Sequence, residues 1–260
     1  MTCFFCFLLT NAQHHEKKIK GMYIQWGYNK EWYSQSNIHF SLGNGDHFIL
    51  HHTKASDKPD YDAIYKKPLE ISIPQYNYRI GFYLNDKKSK AIELNFDHAK
   101  YVVTNFQKVH VSGNIEGQVV NGDSILNSAT FLHLEHTDGA NWLHFNYVQQ
   151  KTILHAVHHQ RPLLTLIKKI GAGINIPRTD FTWKGSRFNN YFHVAGYNIS
   201  AESGFRYYFN NRLFLEGTGK TGYVRYINAL ANTREMKKSR VSHGFCYFEC
   251  IATIGYDIKF

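Results

Sequence analysis

The chain has 260 residues, one large or two small domains' worth, and a formal net charge of +10. Aromatics make up 16% of it while mean hydropathy is −0.42. No run of about 18 apolar residues exists, which excludes a membrane-spanning helix but not spanning strands, whose hydropathy signal is weak.

In chain order, the first segment is Cys3 to Leu9, a short apolar core before Thr10-Asn11-Ala12, a small-residue cleavage pattern. Residues 1–13 are expected to be a residual signal peptide; the basic region that should precede it is missing, so the true start is expected upstream. A single domain is expected over 21–260. Its first strand lies near Met22–Asn29, with Met22, Ile24, Trp26 and Tyr28 on one face. A polar excursion over 31–75 contains a hairpin, Asn37–Leu42 and His47–Lys54, around Gly43-Asn44-Gly45-Asp46. Tyr76–Leu84 turns at Asn85–Ser89 into Lys90–Val103, where Ile92, Leu94 and Phe96 alternate with Glu93, Asn95 and Asp97. Lys108–Glu116 and Asp123–Leu126 predict a second hairpin around a Gly/Asn turn.

Thr130–Gln149 is one bent strand or two. Its polar parity switches from odd (His133, Glu135) to even (His144, Asn146) across Asp138-Gly139, which requires a bulge or a turn there. Leu163–Ile176 follows, then a loop from Pro177 to Asn190. His193–Phe209 turns through Asn210-Asn211 into Leu213–Ile227, and the loop Asn228–His243 precedes the last strand. In that strand every even position from Cys246 to Phe260 is apolar, while the odd ones include Glu249, Thr253, Asp257 and Lys259. Alternation over about fifteen residues is nearly three times a typical soluble strand. All five prolines fall outside the expected strands, as the missing N–H requires.

These segments predict an all-β fold: an antiparallel up-and-down transmembrane β-barrel of 8, alternatively 10, strands with extended extracellular hairpins. The short turns Asn85–Ser89 and Asn210-Asn211 are expected to be periplasmic. Cys246 and Cys250, four residues apart on one face, lie about 13 Å apart, too far for a disulfide, and are expected to face lipid.

The polar face defines the candidate interior: Arg79, Glu93, Asn95, Asp97, His133, Glu135, His144, Asn198, Glu202, Glu216, Lys220, Glu249 and Asp257. So narrow a barrel must fill its lumen with side chains, and buried charges must pair, so a structural network is the first expectation. A proton-handling or hydrolytic site at Glu93, Asp97, His133 and Glu135 is the alternative, kept open by an apparent excess of acids over bases. Gly217-Thr218-Gly219-Lys220-Thr221-Gly222 resembles the end of a phosphate loop, but Phe214 stands where the first glycine belongs and no helix follows. Sixteen histidines, with His51-His52 and His155, His158 and His159 grouped, do not form a spaced ligand set; no metal or cofactor is expected.

Glu135-His136-Thr137-Asp138-Gly139-Ala140-Asn141 loosely resembles the His-x-Ser-Asn segment of outer-membrane lipid A deacylases. That resemblance implies His136 as a base oriented by Glu135, but Asp138 stands at the position of the serine nucleophile. The strings IPQYNYRIGFYLN (73–85), AIELNFDHAKYVV (91–103), LEHTDGANWLHFNYV (134–148), FHVAGYNISAE (192–202) and GYDIKF (255–260) resemble an uncharacterised family of small outer-membrane β-barrel proteins of Bacteroidota-type bacteria. That resemblance implies the cell outer membrane as location, outer-membrane lipid and lipopolysaccharide as surroundings, and no established activity. The terminal Phe260 is expected to be read by barrel-assembly machinery, and no nucleic-acid partner is expected, since Lys and Arg are scattered. A non-enzymatic envelope or surface-binding role is the leading expectation, a deacylase-like hydrolase the alternative and a small pore the second alternative.

Overall fold

The structure, a computed structural model, describes residues 19–58, 75–137, 139–157 and 161–259. The expected signal segment, Asp138, His158, His159 and Phe260 lie outside the described residues. In chain order the strands are β1 (Met22–Tyr33), β2 (Ser36–Ser41), β3 (His47–Thr53), β4 (Ala55–Ser56), β5 (Tyr76–Tyr83), β6 (Lys90–Asp97), β7 (Tyr101–Val103), β8 (Lys108–Ile115) and β9 (Gln118–Ile125). They continue with β10 (Leu132–His136), β11 (Trp142–His155), β12 (Pro162–Asn175), β13 (Asp180–Trp183), β14 (Ser186–Asn189), β15 (Gly196–Tyr208), β16 (Leu213–Leu230) and β17 (Arg240–Ile258).

Eight of these close a barrel in the order β1-β5-β6-β11-β12-β15-β16-β17, with β17 returning to β1. All neighbours are antiparallel, and the closing register runs from Met22↔Ile258 through Tyr33↔Tyr247. Closure leaves this sheet no edge within the barrel. The strand count settles at eight because β7, β8, β9 and β10, between β6 and β11, pair outside the barrel. Thr130–Gln149 is two strands, β10 and β11, and only β11 belongs to the wall.

Both terminal strand ends and the short turns after β5, β11 and β15 share one end. The other end carries the long connections, and these fold into a cap of two sheets. In one, β2-β3-β8-β9 extends the wall from the first residues of β17, through Arg240↔Ser41, Val241↔Phe40 and Ser242↔His39. The other has the order β14-β13-β10-β7-β4. The sheets pack face to face through Phe40 on Phe181 at 5.7 Å and Phe48 on Trp183 at 5.5 Å between ring centroids.

The first expected hairpin is β2–β3. The second is β8–β9, but its turn is at Glu116-Gly117, and Asn121 and Gly122 lie within β9. The expected loop Pro177–Asn190 contains the hairpin β13–β14, and β17 starts six residues earlier than Cys246, at Arg240. Pro162 opens β12, a first-residue position where a missing N–H is tolerated.

Along the wall, alternation sorts apolar from polar as the sequence predicts. In β17 the even positions from Cys246 to Tyr256 are exposed and the odd positions from Val241 to Asp257 are buried. Around the barrel, Ile80, Ile92, Phe145, Ile170, Ile199, Phe205, Leu215 and Ile254 are exposed by 39% to 64%, an apolar belt that Lys168 of β12 interrupts. Cys246 and Cys250 are free and stand on that outer face.

Candidate functional site

Glycines on the inner face make room for large rings beside them. A Cβ at Gly81 would lie 2.0 Å from the Tyr23 ring, and one at Gly255 would lie 2.3 Å from Phe214. The rings gather into a layer near the turn end: Tyr23, Tyr83, Tyr208 and Phe214, closed by Ala91, Val148 and Ile167. A second layer, of Tyr33, Tyr101, Trp142, Tyr226, Phe245 and Tyr247, lies beneath the cap. All the buried charged residues of the barrel described next, except Asp257 at the turn end, lie between the two.

Nearest the lower layer, three carboxylates meet three cations. Arg79 lies 2.6 Å from Glu202 and 3.2 Å from Glu216. Lys169 Nζ lies 3.0 Å from Glu93, 2.9 Å from Glu216 and 3.3 Å from Glu202. Arg206 donates from Nε to Glu216 at 2.8 Å, and its guanidinium lies 4.0 Å from the centre of the Phe214 ring. Tyr23 and Asn146 donate to the remaining lone pairs of Glu93 at 2.7 and 3.0 Å. Each ion is buried, so removal of one would strand its partners.

Nearer the cap, Lys220 bonds Asp97 and lies 3.3 Å from Glu249. Its ammonium also donates to His144 Nε2 at 3.2 Å, which leaves the His144 proton on Nδ1, facing Ser200 Oγ at 3.4 Å. Asn29 donates to Glu249 at 2.8 Å, and Gln75 to Glu31 at 2.7 Å. At the turn end Asp257 accepts from Tyr83 at 2.7 Å and pairs with Lys88 at 2.6 Å.

The interior thus contains Arg79, Glu93, Asn95, Asp97, His144, Asn198, Glu202, Glu216, Lys220, Glu249 and Asp257, as their parity predicts. Two expected members are elsewhere. His133 and Glu135 belong to β10, which pairs with β13 and β7 in the cap. They meet each other at 3.5 Å, with Lys58 at 3.9 Å from Glu135. Burial raises the Glu135 pKa, but the hydrogen bond from His133 and the charge of Lys58 outweigh it and hold the carboxyl below its ordinary value. The hydrolytic grouping of Glu93 and Asp97 with His133 and Glu135 is therefore split between barrel and cap. Sequence parity overlooked Lys169 and Arg206, and these two cations remove much of the apparent excess of acids.

His136 lies on the opposite face of β10 from Glu135 and is fully buried. Its Nε2 faces His243 Nε2 at 3.1 Å and its Nδ1 faces Thr179 Oγ1 at 3.0 Å. The rings of His136, His243, Tyr226 and Tyr101 stack at 4.7 to 6.0 Å. Burial pushes the His136 pKa down to about 3, so the ring is neutral at pH 7. A hydroxyl and a neutral imidazole are the beginnings of a nucleophile–base pair. Here Thr179 is also buried, and the imidazole's other neighbour is His243 rather than a carboxylate. The geometry serves packing. Among the described residues no group of three or more His, Cys, Asp or Glu side chains is arranged to hold a metal.

No family model matches the chain, and no curated protein does. Among solved structures it is similar to the outer membrane protein OprG of Pseudomonas aeruginosa, at 13% identity over 93% of this chain and 98% of that one, with a TM-score of 0.45. It is also similar to Ail, the attachment invasion locus protein of Yersinia pestis, at 10% identity over 92% and 99%, TM-score 0.37. A third is the outer membrane protease OmpT of Escherichia coli, at 8% over 94% and 98%, TM-score 0.36. The fold assignment rests on the strand pairings of this chain, not on these distant likenesses.

Proposed function

We propose that the chain is an integral outer-membrane protein in which the barrel is an anchor and the cap is a binding surface, without a catalytic step. The belt of exposed Ile, Leu and Phe around a closed barrel carries this reading. A soluble protein would expose an apolar surface of that size to water, at a large cost; a bilayer covers it. On β17 the belt runs from Phe248 to Tyr256, about 27 Å of strand, or roughly 20 Å along the normal at a tilt of about 40°. That is close to the hydrocarbon thickness that outer-membrane barrels present. Trp32, registered with Phe248 and 5.9 Å from its ring on the outer face, suits the girdle at the cap-side edge.

Anchoring alone does not explain the cap. Among the described residues, nine of the seventeen strands lie outside the barrel, and they form a sandwich whose aromatic core is continuous with the upper ring layer. The charged interior is bounded by ring layers at both ends, which supports neither passage of solutes nor entry of a substrate. What remains open to partners is the cap's surface. The experiment is gel migration of unheated and boiled protein from fractionated membranes, with protease added to intact cells. A heat-dependent shift in the outer-membrane fraction, with cleavage confined to the cap, is expected. A soluble, unshifted protein would overturn the reading.

A further inference from the structure

Above the belt the outer wall changes character. On β16 the outward positions pass from Leu215 and Tyr223 to Arg225, and on β17 from Phe248 up to Ser242 and Arg240. The sheet β2-β3-β8-β9 carries this wall sideways, so its outer face looks away from the barrel axis. Registered rows cross it: Arg240↔Ser41↔His47, Ser242↔His39↔Ile49↔Ser112 and His51↔His110. Between the rows lies an open groove of about 470 Å³ lined by His39, His47, Ser112, Arg240 and Ser242 together with the apolar Ile49 and Ile227. The His51 and His110 rings are 5.4 Å apart, with His51 on Ser112 Oγ at 2.7 Å and His110 on Asn121 at 2.9 Å.

We propose that this face binds the phosphate groups on the sugar region of an outer-leaflet glycolipid, with Arg225 and Arg240 as cations and the imidazoles of His39, His47, His51 and His110 as hydrogen-bonding groups. The site rests on the outer-membrane reading above. Position selects the occupant. Ser242 precedes Phe248 by six residues, roughly 20 Å of strand and about 15 Å above the belt at barrel tilt. The headgroup layer of a phospholipid is only about 5–8 Å deep, so the groove lies at the level of a saccharide. Charge selects the chemistry. The other charged groups on this face are Lys108, cationic, and Asp123, whose carboxyl the Lys108 and His110 hydrogen bonds hold low. Asp123, on β9 at the far edge, lies 3.3 Å from His110 and outside the groove lining. Burial, with Arg225 and His51, holds the His39 pKa below its ordinary value, and a bound anion beside it would favour the charged ring.

The test uses full-length protein in phosphatidylcholine nanodiscs and a lipid-free probe, the core oligosaccharide of lipopolysaccharide in phosphorylated and dephosphorylated forms. The phosphorylated probe is expected to bind about tenfold more tightly than the dephosphorylated one and to weaken in high salt. Arg225→Gln with Arg240→Gln should abolish binding. The variant with His39, His47, His51 and His110 all replaced by Gln should bind more weakly than the parent. Equal binding of the dephosphorylated probe, or variants that bind like the parent, would overturn the proposal. Heat-dependent gel migration of the same samples separates the two claims: an intact barrel without phosphate binding rejects the site alone, and a chain that forms no barrel rejects the anchor reading.

Discussion

Lys169 faces Glu93, Glu202 and Glu216 within 3.3 Å and is buried. Its replacement by Met leaves three carboxylates with two guanidinium groups and no solvent. Breaking a buried pair from one side costs about 3–5 kcal/mol, far more than an intact network contributes over an apolar filling. Lys169→Met should therefore lower the unfolding midpoint in guanidinium strongly, and addition of Glu93→Gln should recover part of the loss. Equal midpoints for parent and single variant would show that water reaches this cluster. His136 makes a different residue-scale prediction. Its pKa is about 3 in the fold, against about 6.5 when unfolded. A lowered value means that the unfolded chain binds the proton first. The stability contribution is then full above pH 6.5 and is lost progressively as pH falls toward 3. Tryptophan fluorescence, which reports on Trp142 and Trp183 beside this layer, should show the cap loosening through that window. In His136→Gln the slope should flatten, and an unchanged slope would assign the acid sensitivity to another group.

At the scale of the element, β17 carries depth information along its length. Ile254 is in the apolar belt, whereas Ser242 is above it on the same face. A charge on the lipid side costs about 2–4 kcal/mol near the bilayer midplane and close to zero beyond the interface. Ile254→Arg, one outward position from the middle of the belt, should thus destabilise the folded barrel in liposomes by about 1–3 kcal/mol, while Ser242→Arg should leave it within about 0.5 kcal/mol. Equal costs at both sites would place the membrane elsewhere. The same alternation made this strand, and the inward Glu93, Asn95 and Asp97 of β6, legible in the sequence. It failed where alternation says that one face is buried but not against what. β10 has the parity of a wall strand, yet its partners are β7 and β13 of the cap, and His133 and Glu135 were misplaced with it. Lys169 was concealed by its neighbour Lys168, since adjacent lysines mark both faces as polar. Arg206 was recoverable, because it shares the parity of Glu202. Which ions meet was not legible at all: Arg79 and Glu202 are 123 positions apart, and only closure of the barrel brings them together.

For the molecule as a whole, the order of layers along the axis determines what the barrel transmits. The ring layer of Tyr23, Tyr83, Tyr208 and Phe214 closes one end, the layer of Trp142, Tyr226, Phe245 and Tyr247 closes the other, and the ion network fills the space between. An eight-stranded barrel has an interior just wide enough for such side chains. An ion crossing it would have to displace buried charges from their partners as well as rings from their packing. Planar bilayers containing the purified protein should therefore show no stable conductance. Trp142→Ala or Tyr23→Ala alone should leave the bilayer silent, because the network and the opposite layer still block the path; each should instead lower stability by about 3–5 kcal/mol. Porin-sized steps from the parent protein would show that the layers open, and the anchor reading would then give way to a channel.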